Sequence, residues 1–325
     1  MLNRLLKALR SPVLRVGFLV LVVTLAVVYV VRDRAAIAQA WSRLDAVSVL
    51  LALVFSLANV ALSGASWRSV LRDLGSPLPV GAAARVFFVG QLGRYIPGTV
   101  FQFVAQAELA RDHGVPRRRT GSALAVALLV SLTTSSLLIT AVLPFALHGR
   151  QISGWEWTGW LRWLTPLLLV LLVPGVLNPL LRVLLRLARQ EPLEHRITWR
   201  GLLASAGWAL ASWGAVGGQV YVLAHAVGTD WDTGQLLALA VGGYSLAWMA
   251  GFLVVLAPAG AGARELVLGA TIALATGSGG AAVVVLGSRV LLTVSDLLLA
   301  FAALAGHRAE VSAAAEREVH DHGSA

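Results

Sequence analysis

The chain has 325 residues, 58% of them hydrophobic and only 13% charged, far below the roughly 25% charged residues of ordinary soluble domains. The formal net charge is +10, but the cations punctuate long apolar runs instead of forming one patch, so nucleic acid is not an expected partner. The absence of cysteine excludes disulfides, thiolate zinc sites, Fe–S clusters and cysteine nucleophiles. The histidines show no metal-ligand spacing, so neither a metal nor a cofactor is expected.

In chain order, residues 1–12 form a basic N-terminus carrying Arg4, Lys7 and Arg10. Crossing roughly 30 Å of hydrocarbon takes about 20 apolar residues, and the first qualifying stretch is 13–31. Ala38-Gln39-Ala40 resembles a signal-peptide cleavage site, but Arg32, Asp33 and Arg34 interrupt the approach to it. The stretch is therefore read as a retained span. Further clean spans are expected at 46–66, 121–147, 160–185, 201–226 and 281–305. Two apolar stretches, 80–110 and 235–276, are broken near their middles by Gly and Pro. The tryptophans Trp155, Trp157, Trp160 and Trp163 suit an interfacial belt, and the polar tail, 306–325, is expected to be disordered.

Cationic loops stay cytoplasmic. If each clean span crosses once and each broken stretch returns to its starting side, one face collects most of the cations: Arg4, Lys7, Arg10 and Arg15; Arg68 and Arg72; Arg111 and Arg117 to Arg119; Arg182, Arg186, Arg189, Arg196 and Arg200; and Arg308 and Arg317. The other face holds Arg32, Arg34, Arg43 and Arg150. This asymmetry supports cytoplasmic N- and C-termini and two re-entrant segments. The expected fold is thus an all-α polytopic membrane protein with about six full spans and two Gly/Pro-broken re-entrant hairpins. A shift of 161 positions carries Pro97 onto Pro258 and the first span onto the fourth. Each half (13–147 and 148–305) contains three crossings, so the second is expected to be inverted, an arrangement common in transporters that hold substrate where broken helices meet.

Ionisable groups at membrane depth cost at least about 2.5 to 3.5 kcal/mol on insertion scales, which singles out Arg94, Arg264, Glu265, Arg289 and Asp296. Arg94 and Tyr95 sit with Gly93, Pro97 and Gly98; Arg264 and Glu265 sit with Pro258, Gly260 and Gly262. Free N–H groups at such turns, with arginine forks beside them, suit an anion such as a phosphorylated lipid head group. Gln91, Gln102 and Gln106 suit its hydroxyls or polar contacts between helices. Asn59 suits a helix-packing hydrogen bond, and Glu108 an interfacial charge. Arg289 and Asp296 lie two turns apart on one helix face, where either could meet Arg264 or Glu265. A purely structural ion-pair set and simple Gly/Pro kinks are the competing explanations.

The motifs Gly93-Arg94-Tyr95-Ile96-Pro97-Gly98 and Pro258-Ala259-Gly260-Ala261-Gly262-Ala263-Arg264-Glu265 resemble those of the membrane region of lysylphosphatidylglycerol synthases, which also occurs as freestanding flippase-like proteins. The resemblance covers about 15–305. Ala259 and Ala261 stand where the family's second motif has glycine and leucine, while Arg289 and Asp296 are similar in position to polar residues of the family's last helix. The resemblance implies a bacterial cytoplasmic membrane location and translocation of a lipid with a polar or anionic head, either an anionic phospholipid or a polyprenyl-phosphate-linked substrate. Only about 20 residues follow the last expected span, so the separate aminoacyltransferase domain of full-length synthases is expected to be absent. The alternatives are a membrane-embedded transferase using Glu265 or Asp296 as general base and an accessory scaffold for cell-envelope glycosyltransferases.

Overall fold

A computed structural model describes residues 34–95, 101–148, 161–253 and 262–323. The basic N-terminus, the first expected span and the tip residues Pro97, Gly98, Pro258 and Gly260 lie outside the described residues. So do Trp155, Trp157 and Trp160 of the expected belt. All regular elements among the described residues are helical, as the long apolar runs require if the backbone must satisfy its own hydrogen bonds in lipid.

The helices are α1 (Arg34–Trp41), α2 (Ala46–Asp73), α3 (Val80–Ala84), α4 (Phe101–Arg111), α5 (Arg117–Ala141), α6 (Leu143–Ala146), α7 (Leu161–Leu172), α8 (Pro174–Leu187), α9 (Trp199–Val227), α10 (Thr233–Leu253) and α11 (Ala263–Gly323). The centre is the antiparallel pair α2 and α9. Each starts with a side-chain cap, Asp45 accepting from the Ser48 N–H at 2.7 Å and Thr198 from the Gly201 N–H at 3.2 Å. Small residues bring the helices together: Ser66 and Ser205 hydroxyls meet at 2.8 Å, and Asn59 Nδ2 donates to the Ser212 carbonyl at 3.1 Å. This is the small-residue, polar-glue packing of membrane helices, and it gives Asn59 the packing role expected of it.

Contacts between loops define two ends of the bundle. At one end Asp73 accepts from the Thr198 N–H at 2.7 Å, and Arg119 donates to the Gly75 carbonyl at 3.2 Å and the Ser76 hydroxyl at 2.9 Å. At the other, Arg43 donates to the Val227 carbonyl at 2.9 Å and Thr229 to the Ala275 carbonyl at 2.8 Å. The end with Arg119 is the one on which the expected topology collects its cations.

The stretch 80–111 enters and leaves at that basic end. It descends through α3, a π turn at Arg85–Val89 and a 3₁₀ turn at Leu92–Tyr95, then returns as α4. The two arms lie against each other: Gln106 Nε2 donates to the Phe87 carbonyl at 3.3 Å, and a Cβ on Gly93 would lie 2.8 Å from the Gln102 backbone. Glycine at 93 is what lets the backbones approach.

The stretch 233–276 starts and finishes at the opposite end. α10 runs inward and the first arm of α11 returns beside it, with Gly243 facing Thr271. At Gly277 (φ 70°, ψ 178°), a conformation open mainly to glycine, α11 folds back on itself. Glu265 then sits 3.5 Å from Arg289, although 24 intervening rises in a straight helix would separate them by about 36 Å.

Among the described residues four helices are long and apolar enough to cross a membrane, Ala46–Asp73, Arg117–Ala146, Thr233–Leu253 and Ala263–Gly306, or five with a bent pair. Two of the expected clean spans stand apart from these four. The expected span 160–185 is bent by 76° between Trp163–Leu172 and Pro174–Leu187, because Pro174 lacks an N–H and Val173 before it is extended (ψ 124°). The stretch 201–226 does form one helix, α9, but it is too rich in Ser, Gly and Gln to stand with the other four. It is the interior helix, burying Ser205, Ser212, Gly217, Gly218 and Gln219. The final helix continues to Gly323, consistent with the helix-favouring run Ala313-Ala314-Ala315-Glu316-Arg317-Glu318.

Candidate functional site

The inner ends of the two folded-back stretches open onto one cavity of about 220 Å³. Gln91, Arg94, Gln102 and Gln106 line it from the first stretch, Tyr244, Trp248 and Arg264 from the second, and Asn59, Ser63, Ser212 and Trp213 from the α2–α9 pair. Ser212 lies 13 residues after Trp199 and 15 before Val227, so the cavity sits at mid-height of the bundle. Its walls combine amides, hydroxyls and aromatic faces with two guanidinium groups.

The two arginines are held differently. Arg94 pairs with Asp296, whose side chain is fully buried. The Tyr95 hydroxyl donates to the same carboxylate at 2.5 Å, and Gln91 Nε2 donates to its other oxygen at 3.2 Å. Each group answers another: the buried carboxylate has a counter-charge and three donors, as a buried ion requires. Arg94 itself remains 29% exposed at the side chain, towards the cavity.

Arg264 donates to the Tyr244 hydroxyl and lies over the Tyr244 ring, 4.8 Å from its centroid. Among the described residues it has no carboxylate within the 4.0 Å ion-pair distance. Its neighbour Glu265 faces elsewhere, taking the Gly262 N–H at 2.7 Å and Arg289 at 3.5 Å. Gly262 has φ 92°, which turns the chain into α11 while presenting that N–H. Since Arg94 is balanced by Asp296 and Arg289 by Glu265, the charge left over at the cavity wall is that of Arg264.

The expected two-cation, two-anion network therefore divides in a different way. Glu265 and Arg289 meet, but Asp296 binds Arg94 and Tyr95 instead of Arg264 or Glu265. Gln102 lines the cavity, Gln106 ties the two arms, and Glu108 pairs with Arg117 at 2.5 Å outside the site. Sequence reasoning did not single out Tyr244, Trp213 or Trp248. A signal for Tyr244 is present in Gly242-Gly243-Tyr244-Ser245, where glycine admits the returning arm beside a lone aromatic hydroxyl. Trp213 donates to the Thr134 hydroxyl at 3.0 Å and stacks edge-on against Trp248 at 5.2 Å, which fixes the aromatic wall.

Residues 16–300 match the family model described as the lysylphosphatidylglycerol synthase TM region. No curated protein and no solved structure matches the chain. The family, together with the long apolar helices, marks a multi-pass membrane protein with a lipid-related function. The chain belongs to the lysylphosphatidylglycerol synthase TM region family.

Proposed function

We propose that the protein moves a lipid with an anionic head group between membrane leaflets, with the head group held in the mid-height cavity and Arg264 as its principal cation. The observation that carries this reading is the pair of folded-back stretches, opening from opposite ends of the bundle and both lining that cavity. In this reading they are re-entrant hairpins of two inverted halves. The helix starts support the repeat: Asp45 and Thr198 are 153 positions apart, as are Pro79, just before α3, and Asp232, just before α10. The interval grows to 161 after the tips, between Arg117 and Ser278, because the second hairpin is longer. Two stretches rooted at opposite ends and meeting at one polar site are the arrangement alternating access uses.

Arg94, Tyr95, Gln102, Arg264, Glu265, Arg289 and Asp296 remain the proposed head-group residues, in graded roles. Arg264 and Gln102 face the ligand, Arg94 contributes its exposed edge, and Tyr95, Asp296, Glu265 and Arg289 hold the arginines and hairpins in position. A phosphate oxygen would meet Arg264 in a partly dry site, where a charge-assisted hydrogen bond is strong. A phospholipid or a polyprenyl-phosphate-linked lipid would both supply that group. The transferase alternative is less favoured, because both proposed bases, Glu265 and Asp296, are already tied to arginines.

The test is leaflet exchange of fluorescent phosphatidylglycerol or a labelled polyprenyl-phosphate sugar in proteoliposomes. Wild type should accelerate exchange of one of them, and Arg264→Ala should fall to the rate of empty liposomes. Equal rates for wild type, variant and empty liposomes with both lipids would overturn the proposal; conversion of the lipid to a new product would favour a transferase.

A further inference from the structure

Helix α8 leaves α7 at 76° and presents two separate outward stripes. Leu180, Val183, Leu184 and Leu187 are exposed and recur at helical spacing, while Arg182 and Arg186 form a second stripe on another side, with Arg189 just past the helix end. Leu177 and Leu181 anchor the helix by their burial. A helix with an apolar face, a cationic face and a sharp bend out of a spanning direction is built to lie in a membrane interface.

Beside the cationic stripe is a cavity of about 290 Å³ between α8 and the loop that follows it, lined by Asn178, Arg182, Leu185, His195 and Arg196 among others. The loop is pinned in place: Asn178 Nδ2 donates to the Ile197 carbonyl at 2.9 Å, and the Ile197 N–H donates to Asn178 Oδ1 at 2.8 Å. The acid on the rim, Glu194, is engaged on its far side by Arg119 at 2.8 Å and Arg118 at 2.5 Å. Arg118 also holds Glu191, and Arg117 holds Glu108. Arg182, Arg186, Arg189 and Arg196 have no carboxylate within the 4.0 Å ion-pair distance among the described residues. Arg117 to Arg119 on α5 are thus neutralised, whereas, among the described residues, the cations around α8 are not.

We propose that this groove is a peripheral site for an anionic phospholipid, distinct from the mid-height cavity, with the phosphodiester between Arg182 and Arg196 and an acyl chain along the groove's own apolar lining, Leu185, Pro192 and Leu193. Guanidinium forks recognise phosphate oxygens, and this apolar lining, beside a helix whose other outward face is apolar, favours a lipid over a free phosphate. The same loop is clamped through Glu194 to Arg119, which also holds Gly75 and Ser76 at the foot of the first hairpin. A lipid seated here would therefore brace the hairpin that carries Arg94.

Native mass spectrometry of the full chain, delipidated and titrated with phosphatidylglycerol or phosphatidylcholine, tests the site. Wild type should retain a phosphatidylglycerol in preference to phosphatidylcholine, and Arg182→Ala/Arg196→Ala should weaken that retention by roughly fivefold for each cation removed. Arg182→Lys/Arg196→Lys should restore most of it. Both positions are exposed, and an unchanged thermal midpoint will verify folding. Arg264→Ala should leave peripheral binding intact while affecting translocation, which separates this site from the central one. Equal retention of the two lipids by wild type, or undiminished retention by the alanine pair, would overturn the proposal. Displacement by soluble glycerol phosphate at matched concentration would reassign the site to free phosphate and overturn the lipid.

Discussion

Arg94 and Arg264 line the same cavity from the two folded-back stretches, but Arg94 arrives with a buried carboxylate, a tyrosine hydroxyl and an amide already arranged around it, whereas Arg264 meets, among the described residues, the ring and hydroxyl of Tyr244. A buried ion pair with its hydrogen bonds filled fixes the relation between the parts it joins, here the first hairpin and the second arm of α11. A guanidinium resting on an aromatic face keeps hydrogen-bond donors for something else. In the proposed function the first arginine is a brace and the second a ligand-binding group, although the two are equivalent in sequence as charges beside Gly/Pro breaks.

The largest expected effect breaks this comparison on activity. Arg264→Ala should reduce lipid translocation to the empty-liposome rate, with Arg264→Lys retaining part of it as a charge without the fork. Its effect on stability should be limited to the cation–π contact, about 1 to 2 kcal/mol. A collapse of the fold in Arg264→Ala would make this arginine a brace as well.

Next is Asp296→Ala, which strands Arg94 without its counter-charge. Removing one partner of a buried pair typically costs about 3 to 5 kcal/mol, read as a lowered midpoint in chemical denaturation. Arg94→Met combined with Asp296→Leu should recover much of that loss, because neither charge is then left alone. A smaller effect belongs to Gly93→Val, which pushes a side chain into the Gln102 backbone. Overpacking of this kind costs about 1 to 3 kcal/mol, with a matching rise in protease sensitivity between 95 and 101.

The smallest effect lies at the basic end. Hydrogen bonds from Arg119, with further help from its own backbone N–H and Arg118, hold the Glu194 carboxyl down from 4.5 to about 2. Its contribution is therefore fully present above about pH 4.5 and is lost only as pH falls through about 2. The stability difference between wild type and Glu194→Gln should stay constant from pH 7 to pH 5 and shrink on further acidification.

Much of this arrangement is legible in the sequence because breaks and charges coincide. Gly and Pro mark where the chain cannot continue as a helix, and an arginine beside such a break at membrane depth needs a partner or a polar space. The partner choice was not legible. Spacing puts Arg289 and Asp296 on one helix face, but their levels depend on the fold at Gly277, which sets Glu265 opposite Arg289. Asp296, two turns and about 10.5 Å further along, is carried to the tip of the other hairpin. Hydropathy also makes 160–185 look like one span. The extended conformation of Val173 before Pro174 turns its second half aside, and an amphipathic stripe beginning at Leu177 is a clearer guide there than mean apolarity.

Alternating access as proposed needs two hairpins whose feet lie on opposite sides of the membrane, and the cysteine-free sequence permits a direct test. Single cysteines at Pro77, Asp112, Asp230 and Ser278, all exposed, can be labelled with an impermeant maleimide in sealed, oriented vesicles. Pro77→Cys and Asp112→Cys should react from one side only, and Asp230→Cys and Ser278→Cys only from the other. Labelling of Pro77→Cys and Asp112→Cys from opposite sides would make 80–111 a crossing and contradict the account.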